Sequence, residues 1–404
     1  MLGGLLILLI TGLASVAIIN ALKRSNPSLD DQFLKKLFLY HTLLFFAYYA
    51  YTLFNSSDSQ FYYQKVLMGF RGETWFDFYG TSTIFIEFVG YPFIRFMGFS
   101  YEAIMALFSW FGFMGFLYFY IFFKENIRFK HSLYGYDMIT LFFLLPNLHF
   151  WSSSFGKGSI IMMGLGLYFY GISKINKRIP AIILGGLIIY HVRPHIMLVA
   201  LLSSAIGFVF TSRGVSLTWR VLFIIGALGA FFYIYQDVLS MVGINDEEVL
   251  TEGLDMSHRA RELGKSGSGV DIANYNLGMQ LFTFLYRPLF IDAPGALGLF
   301  VSFENVFYVL ITLQLLKSFK GITFIFLRSG FLVKSAFFSF LTVSVALAQV
   351  SGNLGIAMRQ KSQVMLLLMF VIISFLDEQK MNEWKIKQAR KKRMEQARKV
   401  LESS

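Results

Sequence analysis

The residue with the clearest potential for chemistry is Asp58, which stands in Asn55-Ser-Ser-Asp-Ser59 directly after an apolar run. Its neighbours are small and polar, so water or a substrate can reach the carboxylate. Such a carboxylate can act as the general base that takes the proton of a sugar hydroxyl, or it can hold a divalent cation on a diphosphate. A structural alternative is that Asp58 caps the following helix. Asp77, in Trp75-Phe-Asp-Phe78, is a weaker candidate of the same kind.

Cationic side chains stand beside helix-breaking residues elsewhere in the chain. In His191-Val-Arg-Pro-His195, the proline predicts a helix break that presents Arg193 and His195. The planar guanidinium suits phosphate oxygens, although an arginine near a membrane surface can also simply extend into water. Three further cations are candidates for the same anion site: Arg287 before Pro288, Arg359 in Asn353-Leu-Gly-Ile-Ala-Met-Arg-Gln-Lys361, and Lys157 in Trp151-Ser-Ser-Ser-Phe-Gly-Lys157.

Several enzyme classes are excluded by what the sequence lacks. The chain contains no cysteine, so no thiol nucleophile or cysteine-based metal site is available. No glycine-rich phosphate loop follows a strand pattern, which argues against a cytosolic nucleotide-sugar donor. The serine and zinc signatures of hydrolases are also missing. The histidines at 149, 191 and 195 lack metal-ligand spacing, and a structural hydrogen bond is the better interpretation for His149.

These residues must be positioned by a membrane fold. The chain has 404 residues, of which 56% are hydrophobic and 15% charged, and its mean hydropathy is +0.58. Soluble domains carry about 25% charged residues, so lipid must solvate most of this chain. The net charge of +12 is typical of the basic loops that face the cytoplasm in membrane proteins.

The apolar segments predict an all-α protein with about eleven crossings. The predicted spans are roughly 2–22, 37–54, 100–123, 138–152, 158–173, 179–192, 196–212, 219–236, 296–316, 335–350 and 362–376. If the basic clusters between them face the cytoplasm, the N-terminus lies outside and the C-terminus inside. A signal peptide at the start is the alternative, but the basic pair follows the first apolar run instead of preceding it. Short spans indicate a polar cavity cut into the outer side.

Residues 1–376 are predicted to form one membrane domain, which includes two outer loops, and a basic tail follows it. The outer loop 55–99 includes the apolar stretch Ile84–Phe99, whose Glu87, Pro92 and Arg95 favour an amphipathic helix at the membrane interface. The outer loop 237–295 is long and polar, as functional loops often are. The basic tail 377–404 is predicted to be a cytoplasmic helix.

On this topology, charged residues from distant parts of the sequence meet on the outer face. Charges at membrane depth are costly and are therefore candidates for function. The predicted set is Asp58, Asp77, Lys157, Arg193, His195, Arg259, Arg287, Asp292, Arg359 and Lys361.

Several short segments are similar to those of bacterial O-antigen and exopolysaccharide polymerases and, more broadly, of the GT-C glycosyltransferases. They are Asp58-Ser59, Leu145-Pro-Asn-Leu-His-Phe-Trp-Ser-Ser-Ser154 with Lys157, Val192-Arg-Pro-His195, Tyr286-Arg-Pro-Leu-Phe290, Ser302-Phe-Glu-Asn305 and Gly355 with Arg359 and Lys361. The resemblance implies that Asp58 is the catalytic carboxylate of the first outer loop and that the outer-loop arginines bind substrate. The chain departs from the family in having no Asp-x-Asp pair at Asp58, no separate soluble domain, and Gly158 where an acid is expected. A requirement for Mg²⁺ or Mn²⁺ therefore stays open.

Residues and resemblance together predict a glycosyltransferase or polymerase of the bacterial inner membrane. It would use a polyprenyl-diphosphate-linked sugar at the extracytoplasmic face, in surface polysaccharide synthesis. Asp58 would be the base, while Arg193, His195, Arg287, Arg359, Lys157 and Asp77 would contact the substrate. A polysaccharide-assembly machinery is the expected partner besides the lipid-linked glycan and the bilayer, and nucleic acid is not. The alternatives are a flippase for lipid-linked oligosaccharide and a non-catalytic scaffold that docks through its basic tail.

Overall fold

The fold is helical throughout the part of the chain that the structure describes. A computed structural model describes residues 2–210, 216–242, 268–317 and 319–403. One short hairpin interrupts the helices, with β1 (Ser132–Leu133) antiparallel to β2 (Tyr136–Asp137). The predicted all-α class is confirmed.

The α-helices of the described residues are, in chain order, α1 (Leu2–Ser25), α2 (Asp31–Phe54), α3 (Asp58–Leu67), α4 (Thr83–Tyr91), α5 (Tyr101–Asn126), α6 (Met138–Phe143), α7 (Pro146–Ser152), α8 (Lys157–Ser173), α9 (Ile179–Val192), α10 (Pro194–Val209), α11 (Leu217–Val242), α12 (Leu277–Tyr286), α13 (Gly295–Leu316), α14 (Phe319–Thr323), α15 (Phe331–Val350) and α16 (Leu354–Ser403). Short 3-10 turns cover Trp75–Phe78 and Phe290–Asp292, and π-helical turns cover Pro92–Phe96 and Phe324–Arg328.

Five of these helices are long and apolar enough to cross a bilayer, namely α1, α2, α5, α13 and α15. Among the described residues, α9, α10, α12, residues 217–233 of α11 and the α6–α7 pair are shorter apolar segments. Their lengths and composition support a multi-pass membrane protein, while the number of eleven crossings stays a prediction.

The predicted span 138–152 is two short helices rather than one. α6 ends at Phe143 and α7 begins at Pro146. Proline has no backbone N–H and its ring clashes with the preceding turn, so a helix can begin there but cannot run through it. Beyond this break, Trp151 of α7 lines the cavity that is described in the next section.

Glycines bring α5 and α8 into direct backbone contact at the centre of the bundle. A Cβ atom on Gly115 would lie 2.5 Å from the backbone carbonyl of Met162, and one on Gly166 would lie 2.5 Å from the carbonyl oxygen of Gly115. Small residues at such crossings are a usual means of packing helices in lipid, where apolar burial alone gives little drive for association. This contact fixes the position of α8, and therefore of Lys157 at its first residue.

The chain order of the helices defines two ends of the bundle. α8 begins at Lys157, α15 ends at Val350 and α16 begins at Leu354, and residues from all three termini line one cavity. The opposite end of α8, the start of α15 and a later turn of α16 line a second cavity. At 1.5 Å per residue, the length of α8 separates the two ends by roughly 25 Å. The basic residues Arg128, Lys174, Lys177 and Arg328 are at the second end.

Two segments predicted outside the spans differ in detail from the structure. The stretch Ile84–Phe99 is helical as far as Phe96, but Glu87 is fully buried and is paired with Arg71 and Lys65 instead of facing water. The tail is not a separate helix, because α16 continues without a break from Leu354 to Ser403. The cytoplasmic placement of that tail stays a prediction.

Candidate functional site

Five of the predicted site residues line a single cavity of about 540 Å³, termed here the Asp58 cavity. They are Asp58, Lys157, Arg193, His195 and Arg359. Polar and aromatic side chains complete the lining, among them Tyr48, Tyr62, Trp151, Gln360 and Gln363. The cavity therefore combines cations, one carboxylate and aromatic rings at one end of the bundle.

Asp58 is the first residue of α3, and its carboxylate faces Arg359. Arg359 Nη1 donates to Asp58 Oδ2 at 2.6 Å, across 301 positions of sequence. The Asp58 side chain is 52% exposed and that of Arg359 is 39% exposed, so the pair lies at the open side of the cavity. A pair with this exposure can be separated by a competing ligand at little cost, because surface ion pairs contribute about 0–1 kcal/mol.

The alternative that Asp58 caps its helix is wrong. Ser57 is the N-cap residue of α3, and its hydroxyl accepts a hydrogen bond from Ser59 N at 3.4 Å. Gln60 completes a capping box, because its Oε1 accepts from Ser57 N at 3.2 Å. With the cap supplied by its neighbours, the Asp58 carboxylate is available to the cavity.

Lys157 is held at the cavity wall by the loop before α4. Its Nζ donates to Ser82 Oγ at 2.8 Å, and Ser82 N donates to His191 O at 2.6 Å. Ser82 has a φ of 62°, a strained backbone that non-glycine residues rarely adopt. The contacts tie the start of α8 to the end of α9.

The break between α9 and α10 places Arg193 and His195 in the cavity. α9 ends at Val192 and α10 begins at Pro194, as the proline predicts. His191, at the same break, has its Nε2 at 3.0 Å from Tyr79 Oη and its Nδ1 at 2.8 Å from Leu187 O.

Arg287 is not among the residues that line the Asp58 cavity. Its Nε donates to Asp292 Oδ2, and the second oxygen of that carboxylate accepts from Leu289 N at 2.6 Å. The Arg-Pro pair thus closes a local turn with an acid five residues away. The side chain of Arg287 consequently belongs to this turn, and its backbone oxygen accepts a hydrogen bond from the buried Lys361.

Asp77 also lies outside the cavity lining. Its Oδ2 accepts from Thr74 N at 2.8 Å, which caps the turn Trp75–Phe78. This backbone hydrogen bond from Thr74 lowers the pKa of the Asp77 carboxyl below its usual value. Asp77 therefore stabilises a loop, and its sequence context did not distinguish this from the setting of Asp58.

A buried polar network lies directly behind Arg359 and was not predicted from the sequence. Lys361 is completely buried, and its Nζ donates to Asn305 Oδ1 at 2.6 Å and to Arg287 O at 3.0 Å. Asn305 Nδ2 donates to Pro288 O at 2.6 Å. These bonds join the start of α16 to α13 and to the 287–288 turn.

The same network extends to α7. Glu304 accepts from Asn147 N at 2.6 Å, and Asn147 Nδ2 donates to Met358 O at 2.9 Å. Asn147 Oδ1 accepts from Trp151 Nε1 at 3.0 Å. The positions of Trp151 and of the first turn of α16 are therefore fixed by one set of buried hydrogen bonds. The only sequence signal for it was the occurrence of charged residues in apolar helices.

His149 has the structural role that the sequence favoured. It is fully buried, with its Nδ1 at 2.8 Å from His41 Nδ1 and its Nε2 at 2.8 Å from Phe143 O. Its ring stacks on Phe116 with centroids 3.9 Å apart. These contacts join α2, α5 and α7 away from the cavity lining.

The donor groups of the cavity do not fit a divalent cation held by the protein. Asp58 is the single carboxylate among the lining residues, and no group of three or more His, Asp or Glu side chains occurs in the described part of the chain. Hard cations such as Mg²⁺ are bound by several oxygen ligands. The lining is instead suited to an anion.

Tyr62 is the neighbour of Asp58 on the next turn of α3. Burial, together with the nearby Asp58 carboxylate, raises the pKa of Tyr62 to about 12. The phenol therefore stays protonated at neutral pH and can donate a hydrogen bond. It therefore acts as a hydrogen-bond donor in the cavity and not as a base.

Arg259, which the sequence places in the same outer set, lies outside the described residues. No protein-family model, curated protein or solved structure matches the chain.

Proposed function

We propose that the chain is a membrane glycosyltransferase or polymerase that uses a polyprenyl-diphosphate-linked sugar. The observation that carries the proposal is the 2.6 Å contact between Asp58 and Arg359 in a cavity that Lys157 and Arg193 also line. A carboxylate and several cations thus lie within one ligand-sized space. The proposal places this cavity at the extracytoplasmic face of a bacterial inner membrane, in surface polysaccharide synthesis.

The cations would bind the diphosphate of the donor. Arg359 and Arg193 present planar forks that match phosphate oxygens, and Lys157 adds a point charge. As the bond between the anomeric carbon and the diphosphate breaks, negative charge grows on the leaving group. Cations already positioned at that point stabilise this charge, which is the general basis of electrostatic catalysis.

Donor binding would also prepare the base. In the free protein, Arg359 donates to Oδ2 of Asp58, so the guanidinium and a sugar hydroxyl compete for the lone pairs of that oxygen. A diphosphate with a higher negative charge competes for the guanidinium and releases the carboxylate. The acceptor hydroxyl would then attack the anomeric carbon, its proton would pass to Asp58, and the polyprenyl diphosphate would leave with the bonding electrons. Coupling the base to donor binding would limit premature activation of an acceptor or of water.

Aromatic side chains support a carbohydrate as the group transferred. Trp151, Tyr48 and Tyr62 line the same cavity as Asp58, and each combines an apolar face with a polar edge. Trp151 is held in place by its hydrogen bond to Asn147. Such rings can stack on the apolar face of a sugar while hydroxyl groups bond to the surrounding polar atoms.

The Asp58→Asn variant tests the proposal. It keeps the shape of the side chain and removes its basicity, so the rate of transfer from a purified polyprenyl-diphosphate-linked oligosaccharide should fall by about 10²–10⁴-fold, the usual contribution of a general base. The matched control is Glu73→Gln. It breaks an ion pair of similar length, Arg95 to Glu73 at 2.8 Å, that is not part of the cavity lining, and it should leave transfer unchanged.

Full activity of Asp58→Asn in reconstituted vesicles would reject the proposed base, and a parallel His195→Gln variant would show whether His195 is the base instead. The flippase hypothesis would be favoured if the wild-type protein transferred no sugar from any polyprenyl-diphosphate-linked donor but moved a labelled donor intact across the bilayer. The chain contains no native cysteine, so a Val199→Cys variant in the cavity wall can report access directly. Labelling from one side only is expected of the transferase, and labelling from both sides is expected of a carrier.

A further inference from the structure

The second cavity, at the opposite end of α8, α15 and α16, is lined by an unusual concentration of basic residues. Its volume is about 630 Å³, and it is termed here the Arg328 cavity. Arg128 follows α5, Lys174 and Lys177 lie between α8 and α9, and Arg328 ends the π-helical turn before α15. These cations come from three separate connections of the chain and meet around one concave space.

The charges of this cavity do not cancel internally. Lys174 is paired with Glu125 at 3.0 Å. Asp377 is occupied by the protein itself, since its Oδ1 accepts from Phe129 N at 2.8 Å and from Arg128 N at 3.1 Å. Within the described residues, no ion pair or side-chain hydrogen bond involves the side chains of Arg128, Lys177 and Arg328. These three exposed cations thus face a space in which Glu378 is the one further acid.

The floor of the cavity is apolar, in contrast to its rim. Ile172 and Phe370 are each 1% exposed, and Phe324 and Phe331 are nearly as buried. A rim of cations above a floor of aromatic and aliphatic side chains is complementary to a phosphate group attached to a nonpolar body. Because the cavity lies where several apolar helices end, its rim is at the level expected for lipid headgroups.

We propose that Arg128, Lys177 and Arg328 bind a phosphate ester at this end of the bundle. The ligand chemistry is a phosphate monoanion or dianion, supplied by an anionic phospholipid or by a soluble phosphate. Cations concentrated in a pocket raise the local concentration of anions and hold them by charge-assisted hydrogen bonds. This site is independent of the proposed transfer reaction, since it lies roughly 25 Å from the Asp58 cavity along α8 at 1.5 Å per residue.

The test compares two variants of the full chain with the same change in net charge. The cavity variant carries Arg128→Gln, Lys177→Gln and Arg328→Gln. The control carries Arg390→Gln, Lys391→Gln and Lys392→Gln on the exposed part of α16. Protein in nanodiscs of neutral phosphatidylcholine is titrated with short-chain phosphatidylglycerol, and in a second arm with inorganic phosphate and pyrophosphate. Binding is followed by native mass spectrometry and by the shift in melting temperature.

We expect the cavity variant to bind phosphatidylglycerol at least roughly tenfold more weakly than the wild type, as the loss of several charge-assisted contacts implies. The control should stay within about threefold, since its three residues do not line the Arg328 cavity. Binding of phosphate or pyrophosphate that depends on the same three residues would assign the site to a soluble anion, and dependence in the lipid arm alone would assign it to a headgroup. Equal binding by the wild type and the cavity variant in both arms would overturn the proposal. So would an equal loss in the control variant.

The three side chains are exposed, so the cavity variant should retain the wild-type melting temperature in neutral lipid. If the triple variant does not fold, Arg328→Gln alone serves the same purpose. That residue ends a π-helical turn and its side chain makes no hydrogen bond within the described residues, so its replacement removes charge without removing a contact.

Discussion

Replacement of Lys361 by methionine tests the claim that the buried network behind Arg359 holds the cavity together. The Lys361 side chain is completely buried and donates to Asn305 Oδ1 at 2.6 Å and to Arg287 O at 3.0 Å. Methionine has a similar length and no donor, so Lys361→Met leaves both acceptors buried without a partner. A buried acceptor left without a partner costs about 1–3 kcal/mol, so the predicted loss of unfolding free energy for two acceptors is about 2–6 kcal/mol.

Lys334→Met is the matched control. Lys334 is also buried, but within the described residues its Nζ makes one hydrogen bond, to Phe210 O at 2.7 Å. By the same reasoning, its replacement leaves one acceptor without a partner and should cost about 1–3 kcal/mol, half as much. Both variants are purified in the same detergent, and unfolding is followed by tryptophan fluorescence against temperature and denaturant.

A double variant, Lys361→Met with Asn305→Leu, separates a network effect from a simple packing effect. Removing both partners of a buried hydrogen bond is far less costly than removing one, so the double variant should be more stable than the sum of the two single losses implies. Equal losses for Lys361→Met and Lys334→Met, together with strict additivity in the double variant, would refute the reasoning.

Three further predictions concern other parts of the molecule. Arg359→Gln should lower the unfolding free energy by less than about 1 kcal/mol, because its partner Asp58 is half exposed. The same variant should lose most of its glycosyl-transfer activity. Melting and activity assays run in parallel check both effects. Gly115→Leu should destabilise the protein by about 1–3 kcal/mol or more, since the new Cβ would lie 2.5 Å from the α8 backbone. Gly226→Leu, whose new Cβ would have no neighbour within 4 Å, should leave the stability unchanged. Chemical unfolding of both variants measures the difference. Although burial opposes it, hydrogen bonds from His131 and from backbone N–H groups lower the pKa of the Asp377 carboxyl. The stabilising contribution of Asp377 is therefore present above about pH 4, the ordinary carboxyl pKa, and is lost as the pH falls through the pKa of the folded state. The difference in melting temperature between the wild type and Asp377→Asn should accordingly shrink below pH 4.

The sequence by itself determined the class of the protein and many local boundaries. Composition requires lipid as the main solvent, since an apolar fraction of 56% exceeds what a soluble fold can bury. The proline in Arg193-Pro194 predicted the break between α9 and α10, because proline acts on its own turn of the chain. The membrane class depends only on residue types, and the helix break depends only on residues that are close in the sequence.

The tertiary structure decided which candidate residues meet. Arg193 and Arg287 both precede a proline, yet Arg193 lines the Asp58 cavity while Arg287 pairs with Asp292 in its own turn. Asp58 and Asp77 are both acids near helix starts, but Ser57 caps the helix of Asp58, whereas Asp77 caps its own turn.

The physical reason is that a contact such as Asp58 to Arg359, across 301 positions, depends on the packing of α2, α3, α7 and α16 together. The periodicity of apolar residues and the positions of proline indicate which face of a helix is apolar and where the helix ends. They do not state which helix lies against it, because that choice depends on backbone approaches such as Gly115 to α8 and on buried bonds such as Lys361 to Asn305.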